Sequence, residues 1–126
     1  MNRLRIKYPG EFGITPLSYV LPEESEQFEA ERAEEENKNA LYILKPVAAS
    51  CGRGIKIINS KQKIGKLEGT LASRYIMNPH LINGLKYDLR VYVLVTSFNP
   101  LKVYMYNDGL VRFATEKYSL DPKNIN

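Results

Sequence analysis

Two groups of residues in this chain have the types and spacing to hold a polyphosphate. The first is Lys45, which closes the apolar run Leu41-Tyr42-Ile43-Leu44 and is followed by Pro46 and the loop Val47-Ala48-Ala49-Ser50-Cys51-Gly52-Arg53-Gly54. Glycine lets a backbone approach a ligand closely, and the amides of a turn form a nest for anions. An ammonium beside such a nest would offset phosphate charge. The same pair of glycines between apolar runs also suits an ordinary hairpin turn. The second group is Lys86-Tyr87-Asp88-Leu89-Arg90, which leads into Val91-Tyr92-Val93-Leu94-Val95. On a strand, alternation places Lys86, Asp88 and Arg90 on one face. Lys86 and Arg90 could neutralise phosphate oxygens there, and Asp88 could accept hydrogen bonds from a ribose or align its basic neighbours. A salt-bridge ladder on an open sheet is the alternative use of the same residues.

Extended elements must position these groups. The patterning predicts strands over 41–45, 55–58, 70–76, 87–98 and 101–107, with Asp108-Gly109 as a hairpin turn before Leu110–Ala114. Lys45 thus ends a strand that enters a lid hairpin, and Lys61–Gly69 forms a polar turn or short helix after it. Between the two charged groups, Leu71-Ala72-Ser73-Arg74-Tyr75-Ile76 reads as a hinge strand. Its backbone could address an adenine edge while Tyr75 or Ile76 packs on an apolar wall. Lid strand, hinge, then charged strand is the order expected where one nucleotide is clamped between two sheets. Upstream, Thr15–Leu21 is a short extended segment, and Pro22 suits the first turn of a helix rich in Glu23, Glu24 and Glu26. Phe28 and Ala33 give that helix a thin apolar stripe, so a solvated surface helix ending near Asn37–Asn39 is expected.

Composition bounds the rest. A chain of 126 residues, 44% of them hydrophobic, suits about one globular domain with a modest core. Cys51 is the sole cysteine, which excludes an internal disulfide and a cysteine zinc cluster and fits a reducing compartment. The basic start Met1–Lys7 has no apolar stretch of a signal peptide, and the apolar-rich Leu89–Phe98 falls far short of the roughly 20 residues of a spanning helix. The net charge of +4 hides an asymmetry: Glu23–Glu36 holds eight of the 14 acidic residues and one base, Arg32, leaving 17 basic against six acidic residues elsewhere. That excess would attract nucleic acid, nucleotide phosphates or an acidic protein tail. A solvated basic surface is the simpler explanation.

Five blocks together resemble the tubulin tyrosine ligase-like family, nearest its polyglutamylase branch. They are Leu41–Pro46, Ser50–Ile55, Ser73–Ile76, Lys86–Ser97 and Asp108–Ala114, and the likeness spans roughly residues 8–120. The resemblance implies an α+β fold, a partial ATP-grasp architecture of largely antiparallel sheets from two lobes. Residues 1–76 would form the central lobe with lid and hinge, and 77–126 the beginning of the C-terminal lobe. It further implies an ATP-dependent ligase that joins glutamate to the acidic tails of tubulin through an acyl-phosphate. Carried over by position, Lys45 resembles the phosphate-binding lysine and Cys51-Gly52 the phosphate lid. Ser73, Arg74, Tyr75 and Ile76 resemble the adenine hinge. Lys86 and Asp88 resemble nucleotide contacts with Arg90 in support, and Arg112 resembles the arginine that holds the carboxylate of the incoming amino acid.

The resemblance assigns no catalytic side chain and no metal ligand within the chain. ATP and magnesium are the implied cofactors, tubulin tails and free glutamate the implied partners, with no membrane. Cytoplasm and cytoskeleton are the implied location, cilium or basal body more narrowly. Two departures bear on this. Cys51 stands where close relatives place Arg or Gln, which removes a side-chain donor and keeps the backbone amide. The chain also stops before the segments that hold magnesium in the family, so these 126 residues alone are expected to be inactive. A noncatalytic module that binds nucleotide or microtubules is the rival reading. Nucleic acid is not an expected partner, because few aromatics are interleaved with the basic residues.

Overall fold

The computed structural model describes residues 2–8, 10–49, 52–65 and 67–121. The chain divides into two compact units, one running through Met77 and the other spanning Asn78–Leu120. The first holds helix α1 (Asn2–Lys7), strand β1 (Ser18–Leu21), helix α2 (Ser25–Ala33), a 3-10 turn (Glu35–Asn37) and strands β2 (Leu41–Pro46), β3 (Lys56–Asn59) and β4 (Thr70–Arg74). The second holds β5 (Leu81–Ile82), β6 (Leu85–Phe98) and β7 (Leu101–Lys117). Both sheets are wholly antiparallel, ordered β1-β4-β2-β3 and β5-β6-β7.

In the first sheet, alternation assigns the core. Tyr19 pairs with Ala72, Ala72 with Leu44, and Tyr42 with Ile58, so these side chains share one face, and all are buried. Phe28 of α2 fills that face. Its ring is fully buried, 5.5 Å from the Tyr19 ring and 5.2 Å edge-on to Tyr42. Burial of such a ring contributes about 1.5–3 kcal/mol, and each aromatic pair about 0.5–1.5 kcal/mol more.

Helix α2 differs from expectation in start, stripe and depth. It begins at Ser25, with Pro22 in the preceding turn, and the Glu24 carboxylate accepts from the Val20 amide at 2.7 Å. Its inner residues are Phe28 and Arg32, one turn apart, while Ala33 is exposed. Arg32 can lie inside because its guanidinium finds partners. It donates to Glu29 at 2.8 Å and to the carbonyls of Asn59 and Gln62, and it lies over the Phe28 ring at 5.4 Å. The stem covers apolar surface while the head tethers the loop after β3. At the helix end, the buried Asn37 donates to the Glu31 carbonyl at 2.8 Å, satisfying one of the acceptors a helix terminus leaves open.

The second sheet is dominated by the β6–β7 hairpin, turned at Asn99-Pro100. Asp108-Gly109 is therefore not a hairpin turn: it lies inside β7. Val91 pairs with Gly109 and Val93 with Met105, so β7 carries extra residues opposite Tyr92. A Cβ at position 109 would sit 2.6 Å from the Arg90 carbonyl oxygen. Glycine here permits close strand approach, the other use of glycine in a strand. The dipeptide turn is Asn83-Gly84, both at positive φ, between β5 and β6. Apolar side chains lie exposed along both faces of the hairpin, among them Leu89, Leu94, Met105, Tyr106 and Leu110.

Candidate functional site

Lys45 lies on β2 between Leu44 and Pro46. Tyr42 and Leu44 face α2, so Leu41, Ile43 and Lys45 face the other way. The strand residues sharing this second face are Ser18 and Val20 of β1, Leu71 and Ser73 of β4, and Ile57 and Asn59 of β3. Lys45 is the one charged side chain among them, paired with Leu71 and exposed. Ile43, Ile57 and Leu71 are half-buried and Val20 is exposed. A face that combines these apolar side chains with one ammonium suits a ligand with an apolar part and an anionic part.

The loop after β2 folds tightly at its far end. Gly52 and Gly54 both adopt positive φ, at 76° and 73°, a conformation that favours glycine. A side chain at 54 would crowd Pro46 at 3.1 Å. Cys51, the departing lid residue, lies outside the described residues, as does Ser50.

The hinge residues divide between faces. Ser73 is buried and shares a 2.9 Å hydrogen bond with the Ser18 hydroxyl. Arg74 turns to the α2 side, where its guanidinium meets the Glu31 carboxylate at 3.6 Å. The amides of Arg74 and Tyr75 donate to the Leu17 and Leu41 carbonyls at 2.9 and 2.8 Å. The expected strand over 70–76 thus ends at Arg74, with the Tyr75 amide still bonded across to the start of β2. Among the described residues the Ile76 amide donates to no backbone carbonyl, and the Ile76 side chain is exposed.

Glu31 is a site neighbour that the sequence did not single out. It also accepts from the Tyr19 hydroxyl at 3.5 Å. Burial, then the adjacent Glu31 carboxylate, pushes the Tyr19 phenol up to about 12 and raises that of Tyr42. As one of eight acids between Glu23 and Glu36, Glu31 is distinguished only by its helical phase, three residues after Phe28.

In the second unit the register joins two residues treated separately at first. Asp88 and Arg112 are direct cross-strand partners, and Arg112 donates from Nε at 2.9 Å and from Nη2 at 2.6 Å to the same Oδ2. Arg90 pairs with Leu110, and its carbonyl faces Gly109. It borders a concavity of about 470 Å³ with Leu89, Val91, Asn107 and Leu110. Lys86 sits where the register slips between Leu85 and Tyr87, with its ammonium 5.7 Å from the Tyr118 ring. Tyr87, on the alternate face, packs 5.7 Å from Phe113 and its hydroxyl lies 3.0 Å from His80 Nδ1.

The family model of the tubulin-tyrosine ligase family matches residues 1–126. The chain belongs to that family. Its relatives include the tubulin polyglutamylase TTLL5 of Homo sapiens, 46% identical over 114 residues, which are 90% of this chain and 9% of the relative. The tubulin monoglutamylase TTLL4 of Mus musculus is 42% identical over 115 residues, 91% of this chain and 10% of the relative. The tubulin polyglutamylase TTLL13 of Mus musculus is 40% identical over 126 residues, 100% of this chain and 15% of the relative. The chain therefore spans about a tenth of the length of the first two. Family membership implies an ATP-grasp fragment, consistent with an α+β chain of two antiparallel sheets.

Ligases of the tubulin-tyrosine ligase family use ATP and magnesium. The face that carries Lys45 offers a nucleotide one ammonium beside the half-buried apolar side chains of Ile43, Ile57 and Leu71. Magnesium does not find a set of ligands here: among the described residues no three His, Cys, Asp or Glu gather to hold a metal ion. Among those residues, too, no helix is long and apolar enough to cross a membrane.

Proposed function

We propose that this chain forms part of an ATP-dependent ligase that adds glutamate to the acidic tails of tubulin. The observation that carries the nucleotide part is the ammonium of Lys45, the one charge among the strand residues of a sheet face whose other members are apolar side chains, two serines and an asparagine. The glutamate and tubulin parts are supported by relatives named as tubulin glutamylases at 40–46% identity. Residues 1–76 serve as the central lobe and 77–126 as the beginning of the C-terminal lobe.

In this reading Lys45 and Lys86 offset phosphate charge, the loop at Cys51-Gly52 covers the phosphates, and Ser73–Ile76 faces the base. With the Arg74 and Tyr75 amides engaged in the sheet, Ile76 is the hinge residue whose amide and side chain address adenine. Arg90 supports the site, Asp88 contributes to it, and Arg112 holds the donor's carboxylate. In the reaction the γ-phosphoryl of ATP passes to a γ-carboxylate oxygen of a tail glutamate, leaving ADP. The amine of free glutamate then attacks the acyl carbon, the C–N bond forms, and the C–O bond to phosphate breaks as a proton leaves the nitrogen. The excess of basic residues draws in the acidic tail.

A Lys45→Ala substitution in the full-length protein that carries this chain should abolish incorporation of labelled glutamate into tubulin. Incorporation at the normal rate would overturn the assignment. The second reading, a noncatalytic nucleotide- or microtubule-binding module, is favoured by the lack of a three-ligand metal group among the described residues. It predicts tubulin binding with no glutamate transfer by the unsubstituted protein.

A further inference from the structure

Helix α2 and the loop after β3 border a groove on the side of the first sheet away from Lys45. It has two adjoining halves, with Glu29 and Ile64 bordering both. One half, of about 230 Å³, is walled by Leu21, Phe28, Ile64 and Leu67. The other, of about 350 Å³, is bordered by Arg32, Lys61 and Lys63. Its single acid, Glu29, is already bonded to Arg32 at 2.8 Å. The uncompensated charge therefore lies with Lys61 and Lys63, both exposed and without an ion pair among the described residues. The loop is braced before any ligand arrives. Arg32 donates to the Asn59 and Gln62 carbonyls, the Lys61 amide donates to the Asn59 side chain at 3.0 Å, and the Ser60 hydroxyl donates to the Lys38 carbonyl at 2.6 Å. A loop ordered in this way adds little ordering cost to binding.

We propose that this groove docks a linear peptide of a partner protein, with an apolar side chain in the half walled by Leu21, Phe28, Ile64 and Leu67 and neighbouring carboxylates against Lys61 and Lys63. Small-molecule sites have volumes of about 300–1,000 Å³ with apolar walls and polar groups converging in one cavity. Here the apolar half is smaller than that and the cations border the half beside it, a division that suits successive side chains of a peptide. Both features define the occupant. A run of carboxylates alone leaves the apolar half unfilled, and an apolar segment alone leaves two ammonium groups unanswered. Such docking is independent of the ligase reading, because no groove residue belongs to the nucleotide or glutamate assignments.

The test is fluorescence anisotropy of the full-length protein with a short labelled peptide of glutamates around one central leucine. Saturable binding is expected. Replacing the leucine by glycine should weaken it about tenfold or more, since full burial of a leucine side chain is worth at least that factor. Lys61→Glu/Lys63→Glu, at two exposed positions, should weaken the leucine peptide about tenfold and leave the midpoint of denaturant unfolding unchanged. Ile64→Ser trims the apolar wall and should weaken the leucine peptide while leaving the glycine peptide as it was. Absence of saturable binding would overturn the proposal, as would equal affinity for the leucine and glycine peptides. Unchanged affinity in the lysine variant would overturn it too, because the peptide would then be bound elsewhere.

Discussion

Substitution of Gly109 by alanine probes the fold of the second unit and the geometry of its charged pair at once. A Cβ at 109 would stand 2.6 Å from the Arg90 carbonyl oxygen, against an ordinary contact of 3.4 Å or more, so the strands must part by about 0.8 Å. The obstruction is backbone, which cannot swing away as a side-chain tip could. Overpacking of this kind costs about 1–3 kcal/mol, a sizeable part of the 5–15 kcal/mol that holds a typical domain together. The φ of Gly109 is not in the left-handed region, so the penalty is steric rather than conformational. Parting β6 from β7 there also disturbs the next pairs, Arg90 with Leu110 and Asp88 with Arg112. A parting of about 0.8 Å carried through to the Arg112 bonds at 2.6 and 2.9 Å would stretch them to about 3.4 and 3.7 Å, past the usual range of roughly 2.7–3.2 Å. Gly109→Ala in the full-length protein should therefore lower the midpoint of denaturant unfolding and raise the KM for glutamate. An unchanged midpoint with an unchanged KM would refute the close strand approach at 109 and the dependence of Arg112 on it.

Other expectations concern the first unit. Phe28→Ala removes a fully buried ring from between Tyr19 and Tyr42 and should cost about 3–5 kcal/mol in chemical denaturation, with a loss under about 1 kcal/mol counting against the packing described. Alkaline pH should destabilise the same core. The folded Tyr19 phenol, at about 12, lies above its ordinary value of 10.0, so its contribution is intact below about pH 10 and is lost as pH rises through about 12. A shift of about two units corresponds to about 2–3 kcal/mol at full ionisation. Unfolding midpoints measured across this range, with phenolate absorbance alongside, should show Tyr19→Phe to be the less pH-sensitive protein.

The sequence showed the elements near the site more clearly than the contacts that aim its side chains. Leu41–Pro46 and Lys56–Asn59 were legible as strands because apolar runs are bounded by glycine and polar residues, and β4 because an extended run precedes Asn78-Pro79. The position of Arg32 was not, since a cation reads as solvated until the carbonyls of Asn59 and Gln62 are folded against it from about 30 residues away. Asp108-Gly109 misled for a related reason. An Asp-Gly pair marks either a tight turn or a close backbone approach, and only the register of β6 on β7 tells which. The Asp88–Arg112 pair is invisible for the same cause: it depends on a cross-strand alignment that two register slips, one on each strand of the hairpin, determine. Periodicity is local, and register is not.

The arrangement of charge in the first unit follows from that packing and matters for an anionic ligand. Because α2 packs on the Tyr19 and Tyr42 face, it carries Glu26, Glu29 and Glu31 on the side of the sheet away from Lys45. An acid on the Lys45 face would pair with the ammonium and compete with phosphate, whereas acids a sheet layer away are weakened by distance and, where exposed, by salt, over a Debye length of about 8 Å. The one acid that reaches inward, Glu31, is tied to Tyr19 and Arg74. The acid-rich segment thus lowers the chain's net charge to +4 without neutralising the one cation on the apolar face. Net charge is consequently a poor guide to this chain's ligand, and the side of the sheet on which each charge sits is a better one.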